Sequence, residues 1–284
     1  MKKVEIHVTE KCLNNCVFCS VNKHYNPEPS LEEIYKNIER TKNKGFYRIT
    51  ITGGEPTLRK DIFKIISRAN KYHKNILIET NGTNFTKEFV SKLIKSGVNE
   101  FKISFHSHNP AIFEKISNNK DNFYIAINAL YVLKEFKNIK VGTNTVITKY
   151  NYQTIPETAR WLNSTFPYLN LIRISYPRFY NYKKDYCKKE IVPLPKVRKY
   201  LNEIKEQKNK KVFLENVPLC ICNYPHPEFF TWNLYLSQNG KIANRMEHRK
   251  YLKKCESCKL KKKCQGLHKY YNLYFPENFV TPYK

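Results

Sequence analysis

The sequence lacks both a membrane-spanning run and a secretory signal. A membrane helix needs about 18 consecutive apolar residues, and no stretch of the 284 residues approaches that length. The opening stretch MKKVEIHV is too short and too charged to contain the apolar segment of a signal peptide. We therefore predict a cytoplasmic protein that does not associate with membranes.

Acidic residues are also scarce. The chain has 24 Asp plus Glu against 51 Lys plus Arg, which is a formal net charge of +27. An AT-rich genome would enrich lysine, but it would not explain why the acids fail to keep pace. Because excess positive charge attracts anions, the composition favours an anionic partner such as a nucleotide, an acidic peptide or a nucleic acid.

What the first part of the chain does contain is a regular alternation of short β-type runs and amphipathic helical stretches. Six strands are predicted, near VEIHV, RITIT, ILIET, EFKISF, IKVGTNTVI and NLIRISY. Strand–helix units repeated in this way are typical of a parallel sheet with helices packed against it. The sequence therefore predicts an α/β fold, a partial (β/α)6 TIM-like barrel with its active residues at the carboxyl ends of the strands.

Helix start signals support this interpretation. Ser30 and Glu33 form a capping box ahead of a helix that we expect to end at Gly45. Thr86 is placed to cap a helix that stops at Gly97. Pro156 falls in the first turn of another helix, where the missing N–H is tolerated.

The alternation ends beyond the sixth strand. The remaining chain holds one helical stretch near KVRKYLNEIKEQ, a strand near VFLEN and a tail rich in cysteine, proline and aromatics. So small a tail buries little apolar area and needs a metal to stabilise it. We predict a barrel domain over 1–185 and a second, metal-containing domain over 186–284.

Three cysteines lie within eight residues directly after the first strand, and no fourth cysteine accompanies them. They are Cys12, Cys16 and Cys19, among nine cysteines in all. In a reducing compartment such cysteines favour metal ligation or catalysis over disulfides. A closed structural zinc site needs four ligands, whereas three thiolates can hold a cubane iron–sulfur cluster and leave one iron open.

This spacing, with Phe18 just before the last cysteine, resembles the signature of the radical S-adenosylmethionine (radical SAM) enzymes. The end of the second strand reads TITGGEPTL, which resembles a second element of that family. The resemblance implies a SAM-binding [4Fe–4S] cluster on the three cysteines and SAM contacts from Phe18. It also implies SAM contacts from the strand-end element, where residues without a Cβ allow close approach: Gly53, Gly54, Glu55 and Pro56.

Weaker matches follow at the ends of later strands. The resemblance suggests that Ser104 and Asn144 contact the carboxylate or ribose of SAM, and the stretch ETNGT ends the third strand in a similar position. The alternative for each is a polar residue that satisfies a strand end. For His106 and His108 we expect solvated loop positions.

The tail cysteines carry a second resemblance. The spacing Cys255-x2-Cys258-x5-Cys264 resembles the centre of the SPASM extension of many peptide-modifying radical SAM enzymes. Arg245 and His268 stand where the full pattern has cysteines, so the resemblance implies a reduced, twitch-like domain with one auxiliary [4Fe–4S] cluster. Its ligands would be Cys255, Cys258, Cys264 and Cys220.

Several alternatives to this ligand set stay open. Cys222 could replace Cys220, and His268 could ligate if neither does. Four thiolates would also suit a structural zinc ion. Cys187 stands alone in a basic stretch and is predicted to be a surface or packing thiol.

The family resemblance implies reductive cleavage of SAM to a 5′-deoxyadenosyl radical that abstracts a hydrogen atom from a substrate. The leading hypothesis is a peptide or protein substrate, as in ribosomal-peptide maturation, with crosslinking, oxidation or epimerisation as the outcome. The cysteine motif begins at residue 12, so we expect no leader-binding domain before it. The alternatives are an anionic small molecule or nucleotide in cofactor biosynthesis, or RNA. A flavodoxin or ferredoxin would supply electrons, and no catalytic acid or base is assigned.

Overall fold

The computed structural model describes residues 2–19, 28–179, 189–207, 211–222, 233–236, 242–244 and 248–284. Cys187 and Arg245 lie outside these ranges, as does the whole stretch from 180 to 188. No helix in the described ranges is long and apolar enough to cross a bilayer.

Eleven strands and seven α-helices are seen in the described residues. The strands are β1 (Lys2–His7), β2 (Phe46–Thr52), β3 (Ile76–Thr80), β4 (Glu100–Ser104), β5 (Lys140–Val146), β6 (Leu171–Ser175), β7 (Val212–Glu215), β8 (Asn233–Leu236), β9 (Ile242–Asn244), β10 (Arg249–Lys250) and β11 (Leu267–His268). The helices are α1 (Leu31–Glu39), α2 (Ile62–Asn70), α3 (Lys87–Ser96), α4 (Pro110–Ser117), α5 (Asn122–Lys134), α6 (Ile155–Thr165) and α7 (Leu194–Glu206).

The main sheet confirms the predicted fold. Its strand order is β7-β6-β5-β4-β3-β2-β1-β8-β9, and β1 to β7 run parallel in a curled half-barrel. All six predicted strands are present, and β7 adds a seventh beside β6. Since β7 and β8 come from beyond residue 185 and pair with the barrel strands, part of the second predicted domain completes the sheet. The boundary at 185 stays a prediction.

The helix starts follow the sequence signals, but one helix end does not. The Ser30–Glu33 capping box forms, the Thr86 side chain accepts a hydrogen bond from the Phe89 N–H, and α3 stops at Gly97. The expected stop at Gly45 is wrong, because α1 already ends at Glu39. The Thr41 hydroxyl donates to the Ile38 carbonyl and contacts the buried His73, so the chain turns there before reaching Gly45.

Opposite faces of the sheet have opposite chemistry. Alternate strand residues point to opposite sides, and one set packs in the core against the helices: Val4, Ile6, Ile49, Ile51, Ile76, Ile78, Phe101 and Ile103. The other set faces the barrel interior and is mostly polar or charged, with the apolar Leu77 and Phe213 among it: Lys3, Glu5, His7, Arg48, Glu79, Glu100, Lys102, Asn144, Arg173 and Glu215. The fold thus lines its interior with ionisable groups, which is where the candidate site lies.

Candidate functional site

The loop that carries the first three cysteines is anchored on both sides. The Asn15 N–H donates to the Ser117 carbonyl at 3.0 Å and the Val17 N–H to the Ile116 carbonyl at 2.9 Å, which fixes the loop to the end of α4. The Cys19 N–H closes a turn onto the Cys16 carbonyl at 3.0 Å. All three cysteines are half-buried. They therefore sit on a fixed loop at the carboxyl end of β1, where solvent still reaches them.

Gly53 and Gly54 hold this loop from the neighbouring strand. The Gly54 N–H donates to the Thr9 carbonyl and the Glu55 N–H to the Lys11 carbonyl, both at 2.7 Å. A Cβ on Gly54 would lie 2.2 Å from the Lys11 carbonyl oxygen, and one on Gly53 would lie 2.3 Å from the Thr9 carbonyl oxygen. The two glycines are thus required for close packing of two backbone segments, a role that the sequence analysis missed.

Glu55 is a fully buried carboxylate that accepts four hydrogen bonds. Its Oε1 accepts from the Thr57 N–H at 3.1 Å, the Thr57 hydroxyl at 2.7 Å and the Thr80 hydroxyl at 2.6 Å. Its Oε2 accepts from the Asn81 N–H at 2.7 Å. Burial raises the pKa of Glu55, and the four hydrogen bonds oppose that shift. The side chain therefore ties the ends of β2 and β3 together, and Pro56 begins the buried 3-10 turn beside it.

Asn81 links this network to the first cysteine. Its Nδ2 donates to the Cys12 sulfur at 3.7 Å, and its Oδ1 accepts from the Thr83 N–H at 2.9 Å. The Asn14 N–H also donates to the Cys12 sulfur, at 3.4 Å. Hydrogen-bond donors around a sulfur favour its thiolate form, so the surroundings of Cys12 suit a metal-bound thiolate.

The strand-end residues of β4 and β5 lie side by side. Ser104 and Asn144 are partners in the parallel register. The Asn144 Oδ1 accepts from the Arg173 Nε at 2.8 Å and from the Ser175 hydroxyl at 2.6 Å. The structure thus brings the two predicted contacts to one edge of the barrel, and it orients Asn144 through β6.

Phe18 and His106 pack together next to the cysteine loop. Their ring centroids are 4.8 Å apart in an edge-to-face arrangement. His106 is 2% exposed, so the expected solvated position is wrong for this residue. Burial lowers the pKa of His106 to about 3, which keeps the ring neutral at physiological pH. His108 is half-buried, with Nδ1 3.0 Å from the Thr158 hydroxyl.

The barrel interior contains a network of buried ion pairs. Glu79 accepts from the Lys102 Nζ at 2.5 Å and from Arg173 at 3.3 Å, and Arg173 also pairs with Glu215 at 3.1 Å. Burial lowers the pKa of Lys102 to about 8, with a further contribution from Arg173. Although burial alone would raise it, Lys102 and Arg173 hold the pKa of Glu79 well below its usual range.

Replacing Glu79 by Gln is expected to lower the free energy of unfolding by about 3 kcal/mol at pH 7, because Lys102 and Arg173 lose a buried partner. A carboxyl group whose pKa is lower in the folded state stabilises the protein at pH values above its unfolded-state pKa. This contribution decreases as the pH falls below about 4.5. Urea unfolding at pH 7 and pH 3.5 should thus show that acidification lowers the free energy of unfolding less in the variant than in the wild type. The control is Glu157→Gln, in an exposed pair with Arg160; equal stability of both variants would contradict the prediction.

Four tail cysteines line one small cavity: Cys220, Cys255, Cys258 and Cys264. Backbone N–H groups donate to their sulfurs, Leu219 at 3.4 Å and Gly266 at 3.3 Å to Cys264, and Tyr283 at 3.4 Å to Cys258. Within the described residues no three His, Cys, Asp or Glu side chains converge as the ligands of one metal ion do. The thiols instead lie on the walls of the cavity.

The alternative tail ligands lie elsewhere. Cys222 is buried, donates its S–H to the Leu201 carbonyl at 3.5 Å and is not part of the cavity lining. Burial raises the pKa of its thiol to about 11. His268 is buried against Phe179, with its ring parallel to that of His248 at a centroid distance of 6.1 Å. The geometry thus groups Cys220, and neither Cys222 nor His268, with the other three cysteines.

The family model of the radical SAM superfamily matches residues 6–162, which is more than half of the chain. The chain therefore belongs to the radical SAM superfamily and is a radical SAM enzyme. Membership implies SAM and a [4Fe–4S] cluster. The three half-buried cysteines on a fixed loop, with hydrogen-bond donors at the Cys12 sulfur, fit such a cluster.

Among its relatives, the chain is 31% identical over 208 residues to a GTP 3',8-cyclase of Aquifex aeolicus (strain VF5). That match covers 69% of this chain and 64% of the relative. It is 27% identical over 154 residues to mycofactocin maturase MftC of Mycolicibacterium smegmatis, covering 54% of this chain and 39% of that protein. The chain thus matches less than two thirds of the length of either.

The fold is similar to that of SuiB from Streptococcus suis, solved with bound S-adenosylmethionine. The TM-score is 0.66 at 18% identity, and the likeness covers 98% of this chain and 76% of that one. At this identity the likeness is one of fold alone.

Proposed function

We propose that this radical SAM enzyme acts on an anionic small molecule of the nucleotide class. The observation that carries the proposal is the charged barrel interior, where Lys3, Arg48, Lys102 and Arg173 project from β1, β2, β4 and β6. Carboxylates on the same face pair with three of these cations: Arg48 with Glu100, Lys102 with Glu79, and Arg173 with Glu79 and Glu215. Cations held in place in this way can orient the anionic groups of a substrate. Relatives named as GTP 3',8-cyclases support the same class, as does the net charge of +27. This reverses the order of the two substrate hypotheses in the sequence analysis.

In this proposal Cys12, Cys16 and Cys19 hold the [4Fe–4S] cluster that binds SAM. When bound, the cluster and SAM together supply the radical that removes a hydrogen atom from the substrate. Gly53 and Gly54 fix the cysteine loop, and Glu55 and Pro56 shape the strand end beside it. Ser104 and Asn144 would contact SAM, and Phe18 would pack against it. A small acidic electron carrier such as flavodoxin or ferredoxin would reduce the cluster.

We further propose that the four tail cysteines hold an auxiliary [4Fe–4S] cluster. If so, Cys220→Ala should reduce the iron content from about eight to about four per chain after anaerobic reconstitution. Cys222→Ala is the matched control and should retain about eight, because its thiol lies away from the cavity. Iron analysis with electron paramagnetic resonance checks both variants. Loss of the cluster in Cys222→Ala, or bound zinc in its place, would refute the assignment.

A peptide substrate is the second candidate. The observation in its favour is the relative named mycofactocin maturase. RNA is the third candidate, and the aromatic and lysine-rich stretch behind it lies mostly outside the described residues.

The test is substrate-dependent hydrogen abstraction by reconstituted enzyme. Reduced protein should convert SAM to 5′-deoxyadenosine, and deuterium should pass from labelled substrate into that product. The substrates to compare are purine and pyrimidine nucleoside triphosphates, acidic peptides and transcribed RNA. Deuterium transfer from a nucleotide is expected, and transfer from a peptide or RNA alone would overturn the proposal.

A further inference from the structure

One arginine side chain joins the two ends of the segment that carries the first three cysteines. Arg59 follows the 3-10 turn that begins at Pro56, and its side chain is 8% exposed. A single nitrogen, Nη1, donates to the Val8 carbonyl at 2.7 Å and to the Pro29 carbonyl at 2.8 Å. Val8 is the residue after β1, and Pro29 directly precedes the capping box of α1. The guanidinium thus connects the point where the cysteine segment leaves the sheet with the point where it enters α1.

Asp61 fixes the other side of this guanidinium. Its Oδ1 accepts from the Arg59 Nε and its Oδ2 from Nη2, both at 2.7 Å. Two parallel hydrogen bonds of this kind define the orientation of an arginine as well as its position. The backbone is also fixed, because the Arg59 N–H donates to the Pro56 carbonyl at 3.1 Å and the Ile62 N–H donates to the Arg59 carbonyl at 3.3 Å. Nη1 is therefore presented to the two carbonyls from a rigid support.

Glu28 adds a second connection between the same two ends. Its Oε1 accepts from the Thr9 hydroxyl at 2.9 Å and lies 3.6 Å from the Arg59 Nη1. The Thr9 hydroxyl in turn accepts from the Lys11 N–H at 3.1 Å, and the Lys11 Nζ pairs with the Glu28 Oε2 at 2.6 Å. Since Cys12 follows Lys11 directly, the backbone that leads into the first cysteine is held by both side chains.

We propose that Arg59 is a positioning residue for SAM cleavage: it holds the backbone that leads into Cys12 in one place before the cluster and SAM bind. The ligand role of the three cysteines rests on the proposed function. Gly54 and Glu55 hold this backbone from β2, and α4 holds the middle of the segment, but neither contact joins its two ends.

A guanidinium is suited to this task. Its fixed fork serves Asp61 and both carbonyls at once, whereas a lysine ammonium has three donors at one point on a flexible stem. A segment that is closed in advance loses less conformational entropy when its thiolates bind a cluster. The structure thus gives Arg59 a role in preparing the site, although its side chain lies behind the cysteines and contacts none of them in the hydrogen bonds described above.

The first test is amide hydrogen exchange of the full chain, before and after anaerobic reconstitution. Arg59→Met keeps the length of the side chain and removes all of its donors. It should speed exchange at the Gly54 and Glu55 amides about tenfold or more, because their acceptor carbonyls lie just before Cys12 and move when the segment opens. The Phe105 amide, which is hydrogen-bonded to β5, should exchange as in the wild type. Arg59→Lys should give an intermediate rate.

The second test measures how long the segment retains its cluster. A ferrous chelator should remove the iron of reconstituted Arg59→Met about tenfold faster than that of the wild type, since the segment opens more often. The electron paramagnetic resonance signal that shifts on addition of SAM identifies the site concerned. Arg68→Met on α2 is the matched control, because this arginine also joins two elements but pairs with Glu39 instead. It should match the wild type in both tests.

The outcomes separate this role from the proposed function. Unchanged exchange at Gly54 and Glu55 in Arg59→Met overturns the proposal, and so does an equal increase at Phe105, because the arginine would then stabilise the whole fold. Should Arg59→Met fail to fold, Arg59→Lys and Asp61→Asn decide, since each weakens the fork and should speed exchange at the same two amides alone. A wild-type chain that binds no iron on this segment would count against the proposed function, while exchange in the metal-free chain would still decide whether Arg59 holds the segment.

Discussion

Replacing Gly54 by alanine is expected to prevent the proposed SAM-binding cluster from forming on the first cysteine loop while leaving the barrel folded. The added Cβ would lie 2.2 Å from the Lys11 carbonyl oxygen and 2.6 Å from the Glu10 carbonyl oxygen. Both contacts are with backbone, which cannot turn away as a flexible side chain can. The loop must move, and Cys12 follows Lys11 directly. Iron bound at this site should fall from about four atoms per chain to fewer than one, and SAM cleavage should fall below about 1% of the wild-type rate.

The matched control for this prediction is Gly45→Ala. A Cβ at Gly45 meets nothing within 4 Å, so the change adds only the strain of a positive φ, 69°, about 1–2 kcal/mol. Iron content, the visible absorbance of the cluster and 5′-deoxyadenosine formation should match the wild type in this control. If Gly54→Ala binds iron and cleaves SAM like the wild type, then the cysteine loop does not depend on close packing against the backbone at Gly54.

Changing Glu55 to glutamine is expected to have the second largest effect, although the two side chains have nearly the same shape. Oε1 accepts from the Thr57 N–H and Oε2 accepts from the Asn81 N–H. Hydroxyl groups can rotate, but a backbone N–H cannot. Whichever oxygen becomes an amide NH2, one of the two backbone groups loses its acceptor in a fully buried position. The cost is about 2–3 kcal/mol in the free energy of unfolding, and Asn81 shifts away from the Cys12 sulfur.

This prediction is checked by urea unfolding and by the potential and electron paramagnetic resonance spectrum of the first cluster. A changed spectrum is informative, because lost stability alone would not alter the surroundings of the Cys12 sulfur. Glu33→Gln is the control: it lies in the capping box of α1, where glutamine serves as well as glutamate. Wild-type stability and spectrum in Glu55→Gln would show that the carboxylate charge is not needed there.

The three-cysteine spacing and the Gly-Gly-Glu-Pro element could be recognised in the sequence because they are local patterns. The six barrel strands were readable for the same reason, since alternation of strand and helix signals is local. The tail cysteines could be recognised and Cys220 was the expected fourth member, but the sequence left Cys222 open as an alternative. Cys220 and Cys222 are two residues apart and chemically identical, and only their surroundings distinguish them.

The sequence by itself determined the superfamily and the half-barrel and predicted the residues of the first cysteine site, because short-range spacing encodes them. The tertiary structure decided what depends on distant residues meeting. It showed that Gly54 packs on the cysteine loop, that Glu55 joins two strand ends, and that Glu79 lies among cations from other strands. It also brought Arg249 from the tail to the edge of the barrel. Such contacts arise from the parallel register of the strands and from burial, and neither can be deduced from the spacing of residues along one segment.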